Sequence, residues 1–541
     1  MRRLTALVFA MAALAPFATI AQAQTPPAPA PESTPTESPT YLPSTPPQAT
    51  AAPATPPPIV VSPEGGNVAV GATQVLTVES VLGNITVTVH DPSILDAAVD
   101  QNARTITLTG KAPGTTVVTI TDSRGLSRDV PVRVGYYAGQ IRPSITVLIT
   151  GDPSSQDFVR SQAVGAIKRE TSVRPGGEAV VGTDDIPFDG RLDQDRVAEF
   201  DVPVLIQGEN LFSVTGTTHV RVENVAVPRI SPASMLVSDF PERLTENGEL
   251  FTSDLPPEQP ARFLYFHYNP PGQPDRRIVL HAQNMSSGPA VVQFITGNGG
   301  PSPNEMQAGH ESAQRFLERL VQNEGRLVTI APNSSSVVAQ QDLPPGQVVC
   351  ALLQLRVLSG GNVRLTLDAE DAQSDPNDGP AANAPLLQGT APHARGKYGI
   401  PEFHFAAVWN TTGDYLELPI GQIPLPNQLK GEALGGDYGV LQSFVVTVQN
   451  PTNSPQPIAI YENPRGGWAT GTYLIDGAVV QSHRVPPFSR YKIRQYVVPA
   501  KGFVRTTIVT MPEGGSSYPL RLIFAPDDGS VAPGAPGSPI Y

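Results

Sequence analysis

The chain has 541 residues, enough for three or four domains of ordinary size. Its 36 basic and 49 acidic residues give a net charge of −13, which argues against nucleic acid or an anionic membrane surface as partner, because both require a basic patch. One cysteine rules out an intramolecular disulfide, and 59 prolines with 48 glycines at 16 % charged residues point to many short strands joined by turns.

At the start of the chain, Arg2 and Arg3 precede the apolar run LTALVFAMAALA, which is too short to span a bilayer comfortably. Ala21-Gln22-Ala23 has the small-x-small pattern of a cleavage site, so residues 1–23 are expected to be a signal peptide. No cysteine stands nearby to carry a lipid anchor, and no later run is apolar enough to cross a membrane. Residues 24–58 are rich in proline, with small or polar residues between, and read as an extended, disordered spacer.

Residues 59–136 break into strand-sized pieces with period-two alternation, separated by Glu-Gly-Gly, Asp-Pro and Pro-Gly turns. About seven strands in this length predict a two-sheet sandwich. In the piece TITLTGKAPGTTVVTITDSRG, Pro113 and Gly114 close a turn, and either Val117 and Thr119 or Val118 and Ile120 face inward. The succession VAVGATQVLTV, DPSILDAAVD and LTGKAPGTTVVTITDSRG resembles the bacterial immunoglobulin-like family. It is also similar to the small N-terminal domain of pilus-assembly secretins. The resemblance implies a sandwich fold and a place in envelope assembly, although no secretin barrel segment follows.

Residues 139–232 predict a small α+β module: the strand SITVLIT, then a helix capped by Ser154 that buries Val159, Ala163, Ala166 and Ile167, then two further strands. Beyond it the sequence echoes itself. IVLHAQNMSSGPAVVQFI lies over FVVTVQNPTNSPQPIAIY, with Asn284 on Asn450, Pro332 on Pro499 and Leu343 on Met511, at offsets of about 166 to 168 residues. Two related sandwiches are expected, at 233–370 and 397–529, joined by a linker at 371–396 and followed by a disordered tail at 530–541. The apolar strands VVCALLQLRV and YPLRLIF should be central in their sheets. The copies diverge where EMQAGHESAQRFLERLVQ predicts a helix and GTYLIDGAVVQSHRV a hairpin, and a partner-specific surface is expected there.

No motif reaches the standard of a catalytic, cofactor or metal site. His310-Glu311 lacks a second histidine because position 314 is glutamine, and Cys350 lies in an apolar strand run. Asp189, Asp193 and Asp195, like Asp375, Asn377 and Asp378, read as solvated turns rather than calcium loops. Trp409, Trp468, Tyr461, Tyr473 and Tyr491 read as core rather than a sugar platform. The expectation is a mainly β protein of tandem immunoglobulin-like sandwiches with one α+β module. It is exported, non-catalytic and free of cofactors, periplasmic or at the cell surface, and works in assembly or adhesion with other envelope or surface proteins or a polysaccharide. A secreted hydrolase with an unrecognised site and a carbohydrate-binding surface protein are the alternatives.

Overall fold

Strands β1 (Val60–Ser62), β2 (Gly66–Ala69), β3 (Thr73–Glu79), β4 (Thr86–Val89), β5 (Leu95–Asp100), β6 (Thr105–Gly110), β7 (Gly114–Thr121) and β8 (Ser127–Gly135) make the first sandwich. The computed structural model describes residues 57–380 and 384–529; the expected signal peptide, nearly all of the spacer and the tail lie outside the described residues. The sheets run β1-β3-β6-β5 and β2-β8-β7-β4. In β7, Val118 and Ile120 point inward with Leu76, Ile106, Leu108 and Val130, whereas Thr119 faces out toward His90 and Asp129. Period-two alternation produces this, because each sheet has one wet face.

The next elements are β9 (Gly139–Gln140), β10 (Ser144–Thr150), α1 (Gln156–Glu170), β11 (Ser172–Val173), β12 (Gly177–Val180), β13 (Arg196–Gly208) and β14 (Val214–Asn224). The helix cap is Ser155, one residue later than expected, and its Oγ accepts from Phe158 N at 3.3 Å. Val159, Ala163, Ala166 and Ile167 are buried as expected.

After these come β15 (Ser234–Ser238), β16 (Gly248–Asp254), β17 (Ala261–Asn269), β18 (Arg276–Asn284), β19 (Ala290–Ser302), α2 (Glu305–Gln322), β20 (Gly325–Ile330), β21 (Ser335–Leu343), β22 (Gln347–Ser359) and β23 (Val363–Asp371). The expected boundary at 232–233 is crossed by one ten-stranded sheet, β12-β13-β14-β10-β20-β19-β22-β17-β15-β24, where β24 is Arg395–Tyr398. The crossing is antiparallel, with Ile149 opposite Arg326 and Thr150 opposite Gly325. Thr150 Oγ1 donates to Asn323 O at 2.7 Å and accepts from Gln293 Nε2 at 2.8 Å. An edge of β10 left bare would expose unpaired amides, and β20 covers it. The α+β segment is therefore an extension of the first repeat's sheet. The expected linker at 371–396 is anchored near its end: Leu387 lies in the core with Leu250 and Phe251, and Arg395 donates to Leu387 O at 2.6 Å.

The second repeat comprises β25 (Glu402–Asn410), β26 (Leu416–Ile420), β27 (Leu441–Gln449), β28 (Gln456–Pro464), β29 (Ala469–Ile475), β30 (Ala478–Val485), β31 (Tyr491–Val498), β32 (Phe503–Thr510) and β33 (Leu520–Pro526). Its sheet β26-β33-β28-β31 repeats the order β17-β22-β19-β20, so β22 and β33 are central as expected. Registers match: Ala290 faces Ile330 as Gln456 faces Val498, and Gln283 faces Ser335 as Gln449 faces Phe503. The opposite sheets differ in one slot. Beside β18 lies β23, antiparallel; beside β27 lies β25, parallel and drawn from the start of the repeat.

The Gln-Asn pair of the echo marks a buried knot. Asn284 Nδ2 donates to the carbonyls of Gly288, Ile330 and Ala331, and its Oδ1 accepts from Ser286 N and Oγ. Asn450 repeats this with Ser454, Val498, Pro499 and Thr452. The geometry moves one expected pair: Ala331, not Pro332, is equivalent to Pro499. The conserved need of this turn is a left-handed residue, Asn333 at φ 51° or Lys501 at φ 55°, and not a proline. Asn450→Ala orphans buried carbonyls and should destabilise the second repeat by about 1–3 kcal/mol. Differential scanning calorimetry of the Asn450→Ala chain checks this; an unchanged melting profile refutes it.

Candidate functional site

The two diverged insertions, α2 between β19 and β20 and the β29–β30 hairpin between β28 and β31, meet each other. The surface expected to take a partner is therefore the seam between the repeats. Helix α2 begins at Asn304, whose Oδ1 accepts from Met306 N at 3.1 Å and Gln307 N at 3.3 Å. Its Phe316 and Leu317 face the first repeat, with Met235, Leu264 and Cys350, and this core continues into Leu425, Leu434 and Met511 of the second. The same broad face, at its N-terminal end from Glu305 to His310, meets the turn at 511–518. A Cβ on Gly309 would lie 1.7 Å from Gly514 O, so only bare backbone fits that crossing.

The seam is polar at its centre. His310 Nδ1 lies 2.9 Å from Glu513 Oε2, and the same carboxylate accepts from Thr470 Oγ1 at 2.6 Å and Thr472 Oγ1 at 2.7 Å. Tyr518 Oη accepts from Glu513 N at 3.0 Å. Burial opposes the charge on His310, but the charge and hydrogen bond of Glu513 outweigh it and hold the imidazole above its ordinary value. Burial likewise opposes ionisation of Glu513, and His310 with the two threonines reverses this, so its carboxyl is held low. Glu462 has weaker support: burial, with repulsion from Glu513, outweighs Ser482, Tyr473 and His310 and pushes it up to about 8. The seam thus sets a charge-favouring His310–Glu513 pair beside a carboxyl that resists ionisation. A second tie lies nearby: Arg262 of β17, fully buried, donates to Pro401 O at 2.8 Å and to Glu402 Oε1 at 2.9 Å.

The other sequence candidates scatter. Cys350 is buried, and burial pushes its thiol up to about 12, a poor setting for a nucleophile. Asp189 pairs with Arg160, and Asp195 accepts from Ala226 N. Asp375 caps a single turn through Asn377 N. Trp409, Tyr461 and Tyr473 are core, Tyr491 is half-buried, and exposed Trp468 is covered by the Arg484 guanidinium at 4.4 Å. Among the described residues, no helix is long and apolar enough to cross a membrane, which says nothing of a β-barrel.

The first sandwich is where comparison with known proteins is informative. A family described as the pilus formation protein N-terminal region matches residues 63–135. The first sandwich is thus similar to that family. The match spans β2 to β8 and ends before the rest of the chain. No curated protein matches the sequence. Solved structures with overlapping chains include the fibronectin(III)-like modules of Clostridium thermocellum CbhA, at 11 % identity over 32 % of this chain and 98 % of that one, TM-score 0.16. A Bacteroides ovatus glucan-utilisation SGBP-B aligns at 10 % identity over 56 % and 72 %, TM-score 0.14. A structure of carbohydrate-binding modules from the β-sandwich superfamily aligns at 11 % over 58 % and 95 %, TM-score 0.12. At these scores the overlaps carry no weight for function.

The seam sets a pH dependence of stability. His310, raised in the folded state, contributes fully below its ordinary 6.5 and loses this as pH rises through its folded value. Glu513, lowered, contributes above 4.5 and loses this as pH falls through its folded value. Glu462 is a penalty that grows as pH rises from 4.5 to about 8, because only the unfolded chain ionises there. The melting temperature should therefore decline from about pH 6 to pH 8. Glu462→Gln should flatten the decline; an equally steep profile in that variant would show that Glu462 does not govern it.

Proposed function

We propose that this protein is an exported, non-catalytic scaffold of the cell envelope, which offers a pilus-formation-type sandwich to other envelope proteins from the end of a β-sheet body. The match of residues 63–135 to the pilus formation protein N-terminal region carries the reading. The signal-like leader and the proline-rich spacer support it from the sequence. The absence of catalysis is supported by the chemistry of the groups a hydrolase would use: His310 is spent on Glu513, and Cys350 is sealed in a strand. The remaining surface of the first sandwich suits a protein partner. Val60 and Val75 stand exposed on neighbouring strands of one sheet, at 44 % and 52 %. A polysaccharide partner has less support, because three of the five aromatics proposed for it are core.

Mass spectrometry of the protein from its native envelope should find an N-terminus at or within a few residues of Gln24. A photo-crosslinker at position 75 should then trap a pilus or secretion-machinery protein, and deletion of residues 59–136 should abolish the adduct. A full-length chain confined to the cytoplasm, or an adduct that survives the deletion, overturns the reading.

A further inference from the structure

Strands β18 and β23 lie side by side, antiparallel, with Val279 opposite Asp368 and His281 opposite Thr366. Ile278, Leu280, Ala282, Leu365, Leu367 and Ala369 form the core face of this pair. Alternation therefore sends His281, Asp368 and Glu370 together to the other face. His281 is fully buried there and Asp368 nearly so, while the Glu370 side chain is 17 % exposed. His281 Nε2 stands 3.3 Å from Glu370 Oε1 and 3.8 Å from Asp368 Oδ2, and the three ligand atoms all fall within 4.8 Å of one another.

Two facts make this more than a buried ion pair. Asp368 Oδ2, the oxygen turned toward His281, is buried without a hydrogen-bond partner, and His281 Nδ1 is also unpartnered. A buried orphan carboxylate oxygen costs free energy unless something satisfies it. The charge is also unbalanced: two carboxylates share one imidazole. The neighbouring cation, Arg277, is turned to Asp342 Oδ1 at 2.9 Å and to the carbonyls of Ala372 and Ser374. Arg364 is likewise held by Asp254 at 2.8 Å.

We propose that His281, Asp368 and Glu370 bind a divalent transition-metal ion of the zinc class. One imidazole nitrogen and two carboxylate oxygens are a borderline donor set; calcium and magnesium prefer oxygen alone. Bonds of about 2.0–2.1 Å in tetrahedral geometry place ligand atoms about 3.4 Å apart, close to the spacing found here. His281 also borders a groove of about 1110 Å³ between α1, β20, β21 and the turn at 375–379, and the partly exposed Glu370 is the cluster's contact with solvent. The burial of Asp368 beside Glu370 is the penalty a bound cation would relieve. This assignment departs from the sequence expectation of no metal site. It also distinguishes the cluster from Asp239, Glu242 and His393. There both ring nitrogens of His393 already face a carboxylate, Nδ1 to Asp239 at 3.2 Å and Nε2 to Glu242 at 3.0 Å. The second repeat has no counterpart, because β23 is the strand it replaces with β25.

The test is calorimetric titration of ZnCl2 into the untagged, chelator-stripped mature chain, with Co2+ absorption as a second readout. One equivalent should bind to the wild type and to His393→Gln. His281→Gln and Glu370→Gln should each weaken binding by at least about tenfold and abolish the cobalt visible bands. Glu370 is partly exposed, so its variant carries the test if His281→Gln fails to fold. Absence of zinc binding to the wild type, unchanged affinity in Glu370→Gln, or loss of binding in His393→Gln overturns the proposal.

Discussion

Helix α2 has two flanks to hide, and one sandwich can hide only one of them. Ala308 and Ser312 press on Gly297 and Gly299 of the first repeat, but Gly309 and His310, turned round the helix from them, need a second surface. The turn at 511–518 supplies that surface, with Gly514 against Gly309 and Glu513 against His310. The rest of the C-terminal half follows from this contact. Met235, Tyr398, Leu425 and Met511 come from both sides of the expected linker yet share one cluster, and Arg262 reaches across to Glu402. A buried charge pair of this kind adds less to net stability than to the uniqueness of the docking, since a shifted helix would leave Glu513 unpaired in an apolar setting.

Residues 233–529 therefore hold two sandwiches that share a core, and the α+β segment joins the same body through β10. A short spacer of sheet, two residue pairs long at Ile149 and Thr150, is enough to do this because polar side chains close around it. Such continuity ties the α+β segment to the first repeat through shared hydrogen bonds. The first sandwich, by contrast, keeps a separate core, with Leu76, Leu95 and Ile106 at its centre.

Legibility in the sequence tracked locality. The first sandwich was readable because half-exposed sheets impose strict alternation, which β6 and β7 show residue by residue. The Gln-Asn echo was readable because both knots use an asparagine with a small hydroxylic residue two positions on, Ser286 or Thr452, and the amide also donates to buried carbonyls. The proline match misled by one place, since proline tolerates several turn positions whereas the left-handed residue does not. The seam was invisible: His310 and Glu513 are 203 residues apart, and neither carries a local pattern. The pairing of β10 with β20 left no trace either, because two residues of register are too few to shape a sequence. The acidic alternation of Asp368 and Glu370 was in plain view, but their meeting with His281 depends on a strand register that only the fold supplies.

The sheet β26-β33-β28-β31 is built around a strand that follows both of its neighbours in the chain. As the polypeptide emerges from its N-terminus, β26 and β28 must wait with open edges and a gap between them, until residues 520–526 arrive to join them. Closing that gap late is slow, since the loop from β26 to β33 is long and its entropy is lost before any ladder forms. The second repeat therefore becomes rigid only once residues 520–526 are available to pair with both neighbours.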